Sequence, residues 1–153
     1  MKLTKLAVLI ALLLSMSAPV FAAIPTNEEV QAAVAQQPQT TDVKAENAQK
    51  AFVLAITALN ENPNHPNLAK MQAILEAEDF QTSLEKSLYD ANIRLGDPKA
   101  AEKMLAAYAN NKYIKQIVDL IIASQSEYQE KDLDRNVLTL LLLQSFALAN
   151  LVE

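Results

Sequence analysis

Val137-Leu138-Thr139-Leu140-Leu141-Leu142-Leu143 is the stretch on which the fold turns. It sits inside a longer apolar segment, residues 137–152, relieved only by Thr139, Gln144, Ser145 and Asn150. A spanning helix wants about 20 apolar residues, and this segment falls short of that length. A helix that is apolar on nearly every side must be surrounded by protein. The segment is therefore expected at the centre of the molecule, with amphipathic helices packed about it.

Working outward, the rest of the chain supplies those helices. Ala48, Phe52, Ala55, Ile56 and Leu59 recur at helical spacing, with Asp42 or Thr41 ahead of them as a cap. Asn62-Pro63-Asn64-His65-Pro66 reads as a loop, and Pro66 suits the first turn of a helix presenting Leu68, Met71, Ile74 and Leu75. Phe80, Leu84, Leu88, Ala91 and Leu95 predict a helix over 80–95, with Gly96 as its left-handed stop. Asp97-Pro98 then predicts a cap and first turn for a helix over 98–109 burying Ala101, Met104, Leu105 and Tyr108. Asn110-Asn111 marks a break before Tyr113, Ile114, Ile117, Val118, Ile121 and Ile122. Asp132 is expected to cap the last helix. No strand-like alternation bounded by turn residues occurs. The expected fold is all-α: a bundle of six to seven short antiparallel helices around the apolar C-terminal one.

The stretch Ile93-Arg94-Leu95-Gly96-Asp97-Pro98-Lys99-Ala100-Ala101-Glu102-Lys103-Met104-Leu105 resembles the turn and second helix of a tetratricopeptide unit. Ala51, Ala55, Ala58-Leu59 and Pro63-Asn64 resemble the end of another. The two matches lie 50 residues apart against a family period of 34, and the family's tryptophan position is empty. The resemblance implies antiparallel helical hairpins and not membership of the family.

The N-terminus carries an address. Lys2 and Lys5 precede an unbroken apolar run over 6–14, Ser15-Met16-Ser17-Ala18-Pro19 breaks it, and Val20-Phe21-Ala22 offers small residues to a signal peptidase. Residues 1–22 are expected to be a cleavable signal peptide, with periplasmic or secreted localisation for the mature chain. About 131 residues remain after processing, the usual size of one domain. Residues 23–41, rich in Ala, Gln, Thr and Pro, are read as a flexible lead-in outside the core. Thr26 and Glu29 can form a capping box for a short helix through Ala35, which Pro38 ends. Residues 42–153 are read as the single helical domain.

Composition excludes several kinds of chemistry. There is no cysteine, hence no disulfide, thiolate metal site or lipid-attachment cysteine. The single glycine, Gly96, cannot build a phosphate-cradling loop or a nucleophile elbow. The net charge is −5, and loss of Lys2 and Lys5 makes it more acidic still. Without a basic cluster, neither nucleic acid nor an anionic membrane surface is an expected partner. No stable membrane insertion is expected after signal cleavage.

His65, the only histidine, reads as a solvated turn residue between prolines. Asp132-x-Asp134-x-Asn136 imitates the start of a calcium loop, but Val137 stands where the turn needs glycine and Leu143 where a bidentate glutamate belongs. Two acidic groups, Glu76, Glu78 and Asp79, and Glu127, Glu130, Asp132 and Asp134, read as solvated faces and helix-end charges. No catalytic residue, metal ligand or cofactor is expected. Among the tyrosines, Tyr108 and Tyr113 should complete the core edge. Tyr89 and Tyr128 fall beside their helices' apolar faces and are the candidate partner contacts.

The resulting expectation is an exported, soluble, non-enzymatic helical protein that binds another exported protein, as an inhibitor or immunity-type protein or an assembly chaperone. The alternatives are a carboxylate-dependent envelope enzyme, such as a cell-wall hydrolase, and a structural envelope protein. The hydrolase requires at least two acids with raised pKa values in a concave site. The binding protein requires an exposed apolar patch near Tyr89 or Tyr128.

Overall fold

The computed structural model describes residues 23–37, 40–94 and 96–152, with side chains through Phe146. Among these residues the chain forms seven α-helices and no strand: α1 (Asn27–Ala35), α2 (Val43–Glu61), α3 (Pro66–Leu75), α4 (Phe80–Asp90), α5 (Ala100–Ala109), α6 (Lys112–Ala123) and α7 (Arg135–Val152). A single 3₁₀ turn, Glu130–Asp132, precedes α7. Residues 1–22, expected to be a signal peptide, and Pro38 and Leu95 lie outside the described residues.

The apolar C-terminal run forms the middle of the bundle. Leu138, Leu141, Leu142 and Leu143 are buried, and so are Thr139, Leu140 and Phe146 on other sides of the same helix. α7 packs against α1, α2, α5 and α6, so it has neighbours on every side that its sequence makes apolar. Its buried hydroxyls are satisfied by their own backbone. Thr139 Oγ1 donates to Arg135 O at 3.1 Å, and Ser145 Oγ donates to Leu141 O at 2.8 Å. Such back-bonding lets hydroxyls sit in a helix that water does not reach. Gln144, fully buried, accepts a hydrogen bond from the Gln37 side chain beyond the end of α1.

Around α7 the amphipathic helices bury the stripes their spacing predicts. α2 contributes Ala48, Phe52, Ala55, Ile56 and Leu59, and α6 contributes Ile114, Ile117, Val118 and Ile121. α3 docks on α6 through Met71, and α4 packs on α5 with Phe80 and Leu84 buried in one and Met104 and Tyr108 in the other. Short polar side chains start the helices. Asp42 accepts from Lys44 N at 3.0 Å, and Asn111 accepts from Tyr113 N at 2.9 Å and Ile114 N at 3.2 Å.

Several expectations need correction. Residues 23–41, read as a lead-in outside the core, place Val30 and Ala33 fully inside it, with Ile24 and Val34 packed against its edge. Alanine and valine suffice there because α1 lies on α7, whose leucines supply the bulk. The capping box is formed as expected: Thr26 Oγ1 accepts from Glu29 N at 3.2 Å and Glu29 Oε1 accepts from Thr26 N at 2.8 Å.

α4 ends at Asp90, short of the expected 95, and the left-handed residue behind it is Asn92, with φ +52°. Asparagine is the non-glycine residue that tolerates this conformation best, so Gly96, also left-handed at φ +84°, is not the helix stop. α5 begins at Ala100 because Asp97 first closes a separate turn, accepting from Lys99 N at 2.8 Å. The cap of α7 is Asp134, not Asp132: Asp134 Oδ1 accepts from Asn136 N at 3.0 Å. Asp132 lies instead in the 3₁₀ turn. Tyr108 is not at the core edge but wholly buried, its hydroxyl without a hydrogen-bond partner.

Candidate functional site

Tyr128 lies in the loop between α6 and the 3₁₀ turn, and the Gln125 carboxamide shapes that loop. Gln125 Nε2 donates to Ile122 O at 3.0 Å and to Tyr128 O at 2.8 Å, while its Oε1 accepts from Tyr128 N at 2.9 Å. One amide thus satisfies three backbone groups and fixes Tyr128 against the bundle, where its ring is half-buried beside the core. The loop is tied to α2 at a second point, where Asn47 Nδ2 donates to Asp132 O at 3.2 Å.

Between this loop, α1 and α2 runs an open groove of about 510 Å³. Val34, Val53, Leu54 and the Tyr128 ring give it an apolar floor and walls, and Glu46, Lys50 and Glu127 stand on its rim. Glu46 and Lys50 form an exposed i,i+4 pair at 3.2 Å. That hydrogen-bonded contact, with the Glu46 charge and then the Glu127 carboxylate nearby, holds the Lys50 ammonium above its usual pKa, so it stays protonated. Leu54 is 39% exposed, which makes it one of the few large apolar side chains left open to solvent among the described residues.

Tyr89 is the most exposed of these at 85%, but it does not line the groove. A separate depression between α4 and α5, of about 520 Å³, has Ser87, Asp90, Ala91 and Lys103 at its border, and Tyr89 is not among its lining residues either. The two candidate tyrosines therefore differ: Tyr128 belongs to a shaped apolar surface and Tyr89 stands outside both depressions. The sequence reading missed Leu54 and Val53. Their signal is present, since both are apolar yet fall off the buried stripe of α2.

Asp79, Asp97, Asp119 and Glu130 each have a partner within the fold. Asp79 accepts from the Tyr113 hydroxyl and pairs with Lys112 at 3.4 Å. Tyr113 in turn stacks edge-on against Phe80 at 5.4 Å, with the Lys112 ammonium 4.8 Å from its ring centre. The Tyr113 hydrogen bond holds the Asp79 carboxyl below its usual pKa, and Lys103 does the same for Asp97. That is the opposite direction from a general acid. Glu130 and Asp119 both pair with Arg135, at 3.0 and 2.8 Å. His65 caps α3, its Nδ1 accepting from Asn67 N at 3.1 Å. Among the described residues no three His, Asp or Glu side chains converge on a metal position, and no helix is long and apolar enough to cross a membrane.

No family model matches the chain, and neither a curated protein nor a solved structure is significantly similar to it.

Proposed function

We propose that this chain is an exported helical protein that acts by binding another exported protein and performs no chemistry of its own. The observation that carries the reading is the groove beside Tyr128. It is the surface where apolar side chains from α1, α2 and the α6–α7 loop meet while remaining open to solvent. Exposed apolar surface with a polar rim is the usual signature of a protein-binding site. An inhibitor or immunity-type protein and an assembly chaperone both fit this chemistry. On this reading residues 1–22 are removed on export, residues 23–153 are the working chain, and Tyr128 makes the partner contact, with Tyr89 a separate one.

Capture from an envelope extract tests it. The tagged mature chain is expected to retain a partner that the Leu54→Glu variant loses, because a buried carboxylate would have to be desolvated in the complex. Recovery of the bait alone at every salt concentration would refute the reading. The mass of the purified chain checks the export step: loss of about 22 residues is expected.

A further inference from the structure

We propose that the partner element recognised by this chain is an amphipathic α-helix of about three turns bearing Lys or Arg beside its apolar stripe. This assignment rests on the groove being the binding surface.

The first argument is shape. The groove does not stop at Tyr128. A second depression of about 340 Å³ continues it along α2, lined by Leu54, Ala58, Ala123, Gln125, Ser126 and Glu127. Leu54 and Glu127 border both, so the two depressions adjoin along α2 with Leu54 between them. From Glu46 to Ala58 the channel follows α2 for about 18 Å at 1.5 Å per residue. The stripe extends further toward the start of α2, because Val43, 66% exposed, falls on the same face as Glu46, Lys50 and Leu54. An open channel of that length, with α2 as its continuous wall and α1 and the 124–128 loop opposite, takes a helix lying alongside α2. Strand addition would need a sheet edge, and the described residues contain none. A polyproline segment needs several aromatic side chains, and among the described residues Tyr128 is the only one lining the channel.

Charge supplies the second argument. The rim carries Glu46 and Glu127 against one cation, Lys50, and Lys50 is already paired with Glu46. Glu127 borders both depressions and shares the field of Lys50 with Glu46, so two carboxylates face an incoming helix against one ammonium. A cationic side chain there gains a partner, whereas an acidic one meets Glu127 within a surface of acidic net charge. The apolar floor with Leu54 at its centre takes the leucine-like positions of the helix.

The test uses two stapled helical peptides of about 13 residues, since unstapled ones this short barely fold in water. Both carry leucine at every third or fourth position; one has lysines flanking that stripe and the other has glutamates in their place. Fluorescence anisotropy with the mature chain is expected to show the lysine peptide binding at least about tenfold tighter, a preference that shrinks with added salt. Leu54→Glu should abolish binding. Glu127→Gln should reduce the lysine preference by about threefold while leaving the fold intact by circular dichroism. Equal binding of both peptides, or binding indifferent to Leu54→Glu, overturns the assignment. So does a dimer by light scattering that Leu54→Glu dissolves, which would make a second copy the occupant. If neither peptide binds while envelope capture still depends on Leu54, the basic helix is wrong and the groove reading survives. If capture is indifferent to Leu54 as well, both fall.

Discussion

The helices α7 and α1 lie against each other in the bundle, yet their sequences announce this very differently. From Leu138 to Phe146 α7 is so apolar that no exposed position was available to it, and the structure buries every side chain of that stretch. α1 has few large apolar residues, and its composition suggests a segment outside the core. It nonetheless buries Val30 and Ala33 completely. The difference teaches an asymmetry in the hydrophobic signal. Abundant apolar surface forces burial, because exposure costs roughly 25 cal/mol per Å². Scarce apolar surface does not forbid it, because a small side chain can be buried by a large neighbour belonging to another helix. This asymmetry matters for function, since Gln31 and Val34 of α1 line one side of the proposed groove.

The sharpest attempt to break the comparison is at its apolar end. Leu141→Ala, at a position with no solvent exposure, should cost about 2–5 kcal/mol in urea unfolding, the range for a core leucine that leaves a cavity. A loss well under 1 kcal/mol would mean that α7 is not enclosed. The matching change in α1 is Ala33→Leu. Ala33 has no accessible surface, so the added bulk should overpack the α1–α7 contact and cost about 1–3 kcal/mol. A neutral outcome would show α1 lifting away in solution, and the groove would lose its Val34 wall.

Removing the capping box with Thr26→Ala should cost about 0.5–2 kcal/mol, provided that α1 is coupled to global unfolding. Raised amide exchange confined to α1, with no change in the global transition, would instead mark α1 as a separately opening unit.

The smallest effect lies away from both helices, at Asp79. Its folded pKa is depressed by the Tyr113 hydroxyl. The stabilisation is therefore present above the ordinary value of 3.8 and is lost as pH falls through the folded value. In Tyr113→Phe, an NMR titration should show the Asp79 carboxyl moving up toward 3.8. An unmoved titration would detach Asp79 from Tyr113.

Much of the helix pattern was legible because the bundle's buried stripes repeat at the helical period. Phe52, Ile56 and Leu59, or Ile114, Ile117 and Ile121, can be recognised without knowing what they touch. Caps were legible only in part: before α2 the choice lay between Thr41 and Asp42, and before α6 Asn110-Asn111 marked a break without naming its cap. They were misplaced where two candidates competed: Asp132 and Asp134 are equivalent as residue types, and only the 3₁₀ turn decides which oxygen faces the first turn of α7. Asn92 and Gly96 compete in the same way for the end of α4. The groove was half legible. Tyr128 stands out as a tyrosine off the apolar face, but Leu54 looks like any leucine until the neighbours of α2 are in place.

From the residues alone came the all-helical character, the central position of the Leu-rich segment, the lack of cysteine chemistry and the expectation of export. All of these are properties of composition or of local period, which each segment carries wherever it sits. Tertiary packing decided that α1 belongs to the core, that Tyr108 is buried, and that Val34, Leu54 and Tyr128 share one open channel. Those facts depend on which side chains from distant segments come together. No single stretch of chain holds that information, because whether a side chain is buried is set by the surfaces that close over it.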